Sequence, residues 1–390
     1  MSRIKKKHHT IAAVEAELLK RVRVHGRISR VELSRKLNIV PSTAGIYVDR
    51  LIRDGFLVES AKREQRSGRP PKLLELNPAG GRFVGVDFEA RNLMATAVDF
   101  SERPLHQIHK AIRATDSAGQ ILDKIERAIA EVMAGDPRPV LGIGVGVPGT
   151  VDPHSGVAIH YEFIKGWHEV PLGARLSKKF GVPVFLENNI RCMALAELWF
   201  GGERGLQDFV CIGVRSGIAA GVIVNGHLLR GSRNRAGEIG QWHCPVPAEL
   251  SGSGRLEHVA SLSAMIATAQ QAIDHGQKTS LAALKGELAI EDIAHAVQSG
   301  DAFAQSLIQA VARVHGWVVS ELNTLFDPQK IIFAGPLAEL GEAFLAPVRE
   351  AVRQWNGADP GVEITGSTLG KYNGALGAAA LALHQWKPKR

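Results

Sequence analysis

Apolar residues near the start of the chain recur three and four positions apart, which is the period of an amphipathic helix. The first such stretch runs from about Ala12 to Val24, and its apolar face consists of Val14, Leu18, Leu19 and Val22. The segment HGRISR interrupts this period, and Ser29 can cap a second helix that runs through Leu37. The pattern therefore predicts two short helices in succession.

A third helix is predicted from Ser42 to Gly55, after a tight turn marked by Asn38 and Pro41. Its buried face is expected to consist of Ala44, Val48, Leu51 and Ile52, and its outward face of Ser42, Thr43, Tyr47 and Arg50. Two helices joined by a short turn form the arrangement in which the second helix enters the major groove of DNA. Hydroxyl and guanidinium groups on that helix can bind phosphates or base edges.

Two short strand patterns, GFLVES and KLLELN, flank the polar segment AKREQRSGRPPK. This order predicts a winged variant of the helix-turn-helix, with the polar segment as the wing. Within it, Arg66, Arg69 and Lys72 flank Gly68 and Pro70. An extended cationic segment of this kind is suited to a narrow minor groove.

The charge of the chain is concentrated in the same region. Residues 1–76 contain 18 Lys and Arg against 8 Asp and Glu, whereas the remaining 314 residues contain 29 against 31. A basic head on a nearly neutral body indicates double-stranded DNA as a partner. The alternative is a three-helix interaction module with a merely solvated basic face. It does not explain why the charge coincides with the helix and wing patterns.

Beyond Asn77 and Pro78, glycine-rich apolar runs alternate with helical patterns. Strands are predicted in RFVGVDFEARNLMATAVDF, LGIGVGVPGTVD, VPVFLENN, DFVCIGVRSGIAAGVIVNGHLL and KIIFAGP, with a helix in IRCMALAELWFG and a helical span from about Leu256 to Phe326. Such alternation indicates an α/β architecture with mixed sheets. The two hairpins resemble each other, which suggests a duplicated fold with units at about 80–190 and 191–390.

Chain length, cysteine content and the lengths of the apolar runs limit the number of domains and the cellular compartment. A chain of 390 residues is long enough for two or three domains. Its three cysteines, Cys192, Cys211 and Cys244, are widely spaced and odd in number, so we expect no disulfide framework. We find neither a run of about 18 apolar residues nor a signal-peptide pattern. We therefore expect a cytoplasmic protein with no membrane partner.

Six segments occur in the order typical of the ROK family (repressors, open reading frames and sugar kinases). They are LGIGVGVPGTVD, GW followed by VPL, ENNIRCMALAE, AGEIG, GRLEHVAS and YNGALGAAALA. The chain resembles that family from Gly85 to Ala380. The resemblance implies the actin-like ATPase fold, a duplicated ribonuclease H-like architecture with a cleft between two lobes. The N-terminal segment resembles the DNA-binding head of the family's repressors, which its kinases lack.

The resemblance also implies a division of the chain into a winged helix-turn-helix domain at 1–76, a first lobe at 80–190 and a second lobe at 191–390. The C-terminal helix can pack back on the first lobe.

The chain departs from the family's kinases at the catalytic base. In those kinases the base is an aspartate after Glu-Asn, whereas the turn here is Glu187-Asn188-Asn189. An amide cannot accept a proton at neutral pH.

The nucleotide-binding turns differ as well. Asp87 is followed by Phe-Glu-Ala-Arg in place of Gly-Gly-Thr, residues 213–217 read Gly-Val-Arg-Ser-Gly in place of Gly-Thr-Gly, and residues 334–336 read Ala-Gly-Pro. We therefore expect no catalytic residues, no cofactor and no kinase activity.

The zinc site of the family has no equivalent ligands. Aligning GRLE with the family's zinc loop puts Gln241, Ala248, Leu250 and Arg255 at the four ligand positions. Tetrahedral zinc requires four nitrogen or sulfur ligands. His243 and Cys244 lie nearby, but we interpret them as a surface histidine and a packed cysteine, and expect no metal.

The sugar-facing positions are better preserved. The resemblance assigns hydroxyl binding to Asn188, Glu238 and Glu257, with Asn189 and Gln241 as polar replacements and Gly149 beside them. Amides and carboxylates that converge in a cleft can recognise sugar hydroxyls. The alternative is that Glu238 and Glu257 are solvated or structural, because a degenerated site can also have lost its ligand.

These observations predict a DNA-binding transcriptional regulator, by family analogy a repressor, that senses a sugar or sugar phosphate in a non-catalytic cleft. We expect a homodimer or homotetramer. Two alternatives remain open at this point. One is a sugar kinase that has kept a DNA-binding head, and the other is a regulator controlled by a protein partner, with a vestigial cleft.

Overall fold

The computed structural model describes residues 11–61, 72–202, 205–284, 286–356 and 361–388. The N-terminal head consists of α1 (Ile11–His25), β1 (Ile28–Ser29), α2 (Arg30–Leu37), α3 (Pro41–Arg53), β2 (Leu57–Ala61) and β3 (Lys72–Leu76). Its three strands pair in the order β1-β3-β2, and both pairings are antiparallel. Three helices followed by a hairpin form a winged helix-turn-helix, as predicted.

Local sequence sets the ends of the helices in the head. Ser29 and Glu32 form a capping box at the start of α2, where the Ser29 hydroxyl accepts a hydrogen bond from the Glu32 amide at 3.2 Å. Asn38, at φ 52°, ends that helix in the left-handed conformation. Pro41 is the first residue of α3, so this helix begins one residue earlier than predicted and ends at Arg53. Ile52, predicted to be buried, is only partly buried.

The first lobe follows the head. It contains β4 (Arg82–Phe88), β5 (Asn92–Asp99), β6 (Pro104–Ala111), α4 (Ala118–Ala134), β7 (Val140–Val147), β8 (Thr150–Asp152), β9 (Val157–His160), β10 (His168–Val170), α5 (Leu172–Phe180), β11 (Val184–Asn188) and α6 (Asn189–Phe200). The main sheet has the order β11-β7-β4-β5-β6, and β8, β9 and β10 form a small separate sheet. Sequence analysis missed β6 and the small sheet because their strands are short or largely exposed.

The second lobe contains β12 (Phe209–Val214), β13 (Ile218–Val224), β14 (His227–Leu228), α7 (Leu256–Ala260), α8 (Leu262–Asp274), α9 (Ile290–Gln298), α10 (Ala302–Phe326), β15 (Lys330–Ala334), α11 (Glu342–Asn356) and β16 (Glu363–Gly366). The last helix of the chain is α12 (Asn373–Gln385). The sheet has the order β14-β13-β12-β15-β16.

Both lobes use the same strand plan. In each sheet three consecutive strands pair antiparallel, and two later strands add in parallel on the other side of the first strand. This repetition confirms the duplicated α/β architecture that the two similar hairpins suggested.

The C-terminal helix α12 lies against β4 and β7 of the first lobe. The short distance between α12 and these strands requires a glycine on each strand. A Cβ at Gly85 would lie 2.0 Å from the Ala375 carbonyl oxygen, and one at Gly144 would lie 1.7 Å from that of Ala378. The domain limits at 76, 190 and 191 stay predictions, and α12 is one segment of 191–390 that packs on the other lobe.

The head and the first lobe share one hydrophobic core. Leu18 and Val22 of α1 belong to the same buried cluster as Phe83, Phe100 and Trp386. The ring centroid of Phe56, which follows α3, lies 5.1 Å from those of Phe100 and Trp386. Among the described helices, none is long and apolar enough to span a membrane.

Candidate functional site

A cavity of about 190 Å³, here called the central cleft, opens between the two lobes. All six residues predicted to face a sugar line it, namely Gly149, Asn188, Asn189, Glu238, Gln241 and Glu257. The first three come from the β7–β8 turn and the start of α6, and the others from the segment between β14 and α7 and from α7 itself. The structure therefore brings both lobes to one site, whereas ligand binding at these residues stays a prediction.

The first-lobe wall is built by hydrogen bonds around Asn188. Its Oδ1 accepts hydrogen bonds from the amides of Ile190 at 3.0 Å and Arg191 at 3.2 Å, which caps α6. Its Nδ2 donates to the Gly149 carbonyl at 3.1 Å. Both lone pairs of Oδ1 are thus used, and Asn188 keeps a single N–H for a ligand.

Gly149 and Asn189 complete this wall. Gly149 has φ 69°, and a Cβ there would lie 2.2 Å from the His160 carbonyl oxygen, so the turn requires glycine. Asn189 is 5 % exposed, and its Nδ2 donates a long hydrogen bond of 3.4 Å to the Phe88 carbonyl. Its position suits an amide, which can donate to that carbonyl.

The buried carboxylate of Glu187, to which the sequence assigned no role, fixes the start of α6. Glu187 is fully buried, and its two oxygens accept from Arg191 Nη1 at 3.1 Å and from Arg230 Nε at 2.6 Å. The signal in the sequence was the i, i+4 spacing of Glu187 and Arg191.

The second-lobe wall presents carboxylates with free acceptor capacity. Gln241 Nε2 donates to Glu257 Oε1 at 2.6 Å. Burial raises the pKa of Glu257, and the nearby Glu162 adds to the effect. The carboxylate of Glu238 makes no hydrogen bond or ion pair within the described parts of the chain, and the residue lines the cleft. A sugar hydroxyl is the kind of donor that such carboxylates can accept from.

The part of the cleft around Arg215, where sequence analysis located altered nucleotide-binding turns, contains a buried ion pair. Arg215, from the β12–β13 turn, donates from Nη1 to Asp87 Oδ1 at 3.0 Å and from Nη2 to Asp87 Oδ2 at 2.5 Å. The Asp87 side chain is 1 % exposed and that of Arg215 is 11 % exposed. Burial acts to lower the pKa of Arg215, but the Asp87 carboxylate outweighs it and the pKa is raised. The guanidinium of Arg215 therefore stays charged in this buried position.

The next residue of the same turn makes a second contact of this kind. Ser216 Oγ donates to Glu89 Oε2 at 2.8 Å, and both residues are buried. Asp87 also lies against the N-terminus of α12, since a Cβ at Gly374 would be 2.3 Å from Asp87 Oδ2. A helix N-terminus favours a negative charge.

The positions that correspond to zinc ligands do not fit the ion. Leu250 is 7 % exposed and belongs to the hydrophobic core of the second lobe, and Gln241 faces the cleft. Main-chain contacts hold the segment instead, including the amide of Cys244 to the Gly254 carbonyl at 2.9 Å. Burial raises the pKa of the Cys244 thiol to about 11, which disfavours a thiolate.

One other group of potential metal ligands occurs among the described residues. Glu162, Glu257 and His258 have ligand atoms within 4.8 Å of one another at the cleft. Glu162 and His258 are exposed, and such groups are common without an ion, so this cluster supports no metal site.

In the head, the structure places Ser42 and Thr43 on the exposed start of α3. Lys72 is exposed on β3, where its Nζ pairs with Glu59 at 2.8 Å. Arg66 and Arg69, predicted in the wing, lie outside the described residues. The interface with DNA therefore stays a prediction for all seven residues.

Arg50, predicted to face outward, is only partly exposed. Its Nη1 pairs at 3.3 Å with Oε1 of Glu15, which is fully buried in α1. Its guanidinium carbon also lies 5.7 Å from the ring centroid of Tyr47, which is itself only partly exposed. Sequence analysis missed this pair because a contact between α1 and α3 is not visible in the period of either helix.

Ile46 and Arg53 are exposed residues of α3 that were not predicted to face outward. Ile46 is 61 % exposed and Arg53 is also exposed, so they extend the accessible face that begins at Ser42. The signal in the sequence was their spacing. Ile46 follows Ser42 by four residues and Arg53 follows Ile46 by seven, which places all three on one face of a helix.

Comparison with known proteins agrees with this geometry. Residues 83–385 match the family model described as ROK family, and residues 16–58 match that of the winged helix-turn-helix DNA-binding domain. The xylose repressor of Caldicellulosiruptor bescii is 27 % identical over 336 residues, which cover 84 % of each chain.

Two solved structures show the same fold. A ROK family transcriptional regulator, described as a homologue of the Escherichia coli Mlc protein, aligns with a TM-score of 0.80 and 25 % identity over 96 % of both chains. A ROK glucokinase from Streptomyces griseus, in complex with glucose and AMPPNP, aligns with a TM-score of 0.69 and 28 % identity over 77 % of this chain and 99 % of the other.

The fold and the cleft thus define a two-lobed protein of the actin-like ATPase type that carries a winged helix-turn-helix head. The chain belongs to the ROK family, in its transcriptional-regulator branch.

Proposed function

We propose that this protein represses transcription by binding duplex DNA through its head and that a sugar or sugar derivative in the central cleft controls this binding. The observation that carries the proposal is the contrast within the cleft. Its sugar side keeps unpaired polar groups, whereas the Arg215–Asp87 ion pair occupies its nucleotide side. The similarity to a xylose repressor supports the same function.

We infer that the cleft binds without catalysing phosphoryl transfer. Asn189 stands where the kinases of the family have their base, and an amide cannot take the proton of a hydroxyl. The turns around Asp87 and Arg215 offer side chains in place of the open backbone amides that cradle phosphate. Replacing Asn189 by Asp is therefore not expected to create a kinase.

The DNA-binding part of the proposal rests on α3 and the wing. Ser42 and Thr43 lie at the start of α3, where short hydroxyl side chains can bond phosphates or base edges. Arg66, Arg69 and Lys72 would supply the cations of the wing, and a repressor of this type would act as a homodimer or homotetramer in the cytoplasm.

Sugar control requires that the ligand favour one arrangement of the protein. The core shared by the head and the first lobe offers a route, because a shift of that lobe carries the head with it. Half-sites on DNA lie about 34–36 Å apart, or multiples of that, so a small rotation of two bodies can prevent both heads from binding.

The experiment combines two measurements on the full chain. Thermal unfolding is followed with a panel of sugars and sugar phosphates, where a ligand at 100 times its dissociation constant stabilises by about 2.7 kcal/mol. Affinity for duplex DNA selected from a random library is then measured at several salt concentrations.

A sugar that raises the melting temperature and changes DNA affinity supports the proposal. A log affinity that does not fall with log salt would contradict DNA binding. If no sugar shifts the melting temperature, the cleft is vestigial and control by a protein partner gains support.

A further inference from the structure

The Arg215–Asp87 ion pair connects the two lobes across the central cleft. Asp87 lies near the end of β4 in the first lobe, and Arg215 lies in the β12–β13 turn of the second. The guanidinium donates two hydrogen bonds, of 3.0 Å and 2.5 Å, one to each carboxylate oxygen. A two-bonded contact of this kind fixes orientation as well as distance.

The neighbouring contact reinforces the connection. Ser216 donates to Glu89 at 2.8 Å, so adjacent residues of one turn hold two nearby residues at the end of one strand. All four side chains have little exposure: 1 % for Asp87, 11 % for Arg215, and 7 % and 8 % for the residues Ser216 and Glu89. The lobes therefore meet here through polar side chains that have little exposure to solvent.

Separating the lobes would leave two opposite charges without each other. A buried charge that loses its partner is strongly disfavoured unless water reaches it. Asp87 keeps the N-terminus of α12 beside it, but Arg215 has no second acidic side chain within hydrogen-bonding distance in the described residues. Separation would therefore be less favourable for Arg215 than for Asp87. The ion pair favours the arrangement in which the two lobes are in contact.

The same residues border the ligand cavity. Arg215 and Glu89 line the central cleft together with Asn189 of the first lobe and Glu238 of the second. The ion pair therefore lies beside the cavity that both walls line.

We propose that Arg215 is a positioning residue. By pairing with Asp87, it holds the lobes at the separation at which groups from both walls reach one sugar molecule. The bridge joins the lobes through side chains of the chain itself. This inference rests on the proposed sugar-binding function of the cleft, and it explains how that cleft can work without a nucleotide.

The test measures lobe separation in the full chain by pulsed electron spin resonance. Spin labels are attached to Arg127→Cys on α4 and Gln298→Cys at the end of α9, both exposed positions, in a Cys244→Ser background. The remaining cysteines, Cys192 and Cys211, are fully buried. Three variants are compared with the parent, namely Arg215→Ala, Arg215→Lys and the control Arg313→Ala, which removes a surface arginine of the second lobe.

The parent and Arg313→Ala are expected to give one narrow distance distribution. Arg215→Ala is expected to give a broader one with longer distances, and Arg215→Lys an intermediate one. Guanidinium chloride at a low millimolar concentration should restore the narrow distribution of Arg215→Ala, whereas sodium chloride at the same ionic strength should not. A sugar that binds the parent should bind Arg215→Ala about 5–150-fold more weakly.

An unchanged distribution in Arg215→Ala overturns the inference. Opening that neither guanidinium nor Arg215→Lys reverses also overturns it, because the substitution would then have disturbed the turn itself. If the lobes open as expected but no sugar binds the parent, the bridge between the lobes stands and the proposed sugar sensing fails.

Discussion

The two halves of the central cleft differ in how their polar side chains are satisfied. On the sugar side, Glu238 and Glu257 present carboxylate oxygens to an open cavity. On the other side, where the resemblance implies a nucleotide site in the family's kinases, Asp87 is buried and paired with Arg215. One half keeps acceptor oxygens that face the cavity, whereas the other half has its polar groups satisfied from within the chain.

The difference between the two halves shows that residues which depart from a motif can form a new interaction with each other. In the sequence alone, the residues found in place of the expected Gly-Gly-Thr and Gly-Thr-Gly turns are interpreted as the decay of a nucleotide site. In the structure, the arginine of one altered turn binds the aspartate beside the other, at 2.5 Å and 3.0 Å. A decayed site would leave such groups unsatisfied, and buried unsatisfied polar groups are costly.

The largest effect is expected from Asp87→Asn, which leaves the buried Arg215 without its countercharge. Breaking a buried ion pair from one side costs about 3–5 kcal/mol. The free energy of unfolding, measured with urea, should fall by this order. The matched control Asp123→Asn removes an exposed partner of Arg175 and should change it by less than about 0.5 kcal/mol. Equal small effects in both variants would show that the pair does not stabilise the closed protein.

On the sugar side, Glu238→Ala is expected to weaken sugar binding with little effect on stability, because the carboxylate has no partner among the described residues. A hydrogen bond to a charged group contributes about 1.5–3 kcal/mol, which corresponds to roughly 10–150-fold in affinity. Calorimetric titration with the sugar found in the panel measures this. Glu249→Ala, at an exposed pair with Arg313, is the control. Equal affinities in the two variants would exclude Glu238 from the site.

A smaller effect is expected from pH through Glu257. Because burial raises its pKa in the folded protein, its protonation is favoured by folding, so its own contribution to stability is present at low pH and is lost as pH rises through the raised value. Sugar binding should behave in the opposite way, since the hydroxyl needs the carboxylate as acceptor. Affinity should therefore fall as pH drops through the raised pKa.

Glu257→Gln checks this assignment. The variant should lose the pH dependence of sugar affinity and keep its acceptor oxygen. An unchanged pH profile would place the titrating group elsewhere in the cleft.

The smallest effect concerns the head. Arg69→Ala should lower the slope of log DNA affinity against log salt by about 1, because one phosphate contact is lost. Arg50→Ala serves as a contrast, since Arg50 pairs with the buried Glu15 and its loss should lower the melting temperature without changing the slope. The reverse outcome, a changed slope for Arg50 and none for Arg69, would place the phosphate contact on α3.

Much of the fold was predictable from the sequence because its signals are local. The helix period, the capping serine at 29 and the glycine-rich strands placed most elements, and the family motifs brought the six cleft residues together.

The rest depends on contacts that are distant in sequence. Arg215 pairs across 128 positions with Asp87, and Arg50 pairs across 35 with Glu15. Neither pair produces a periodic pattern in the sequence. The same holds for the hydrogen bond from Asn188 Nδ2 to the Gly149 carbonyl, which spans 39 positions.

The central claim is that the cleft senses a sugar and does not phosphorylate it. The most direct test measures the affinity of the full chain for its DNA with the bound sugar, with and without ATP, while phosphorus NMR follows the nucleotide. We predict that the sugar alone changes DNA affinity, that ATP adds nothing and that no sugar phosphate forms. A change in affinity that requires ATP, or the appearance of a sugar phosphate, would contradict this account.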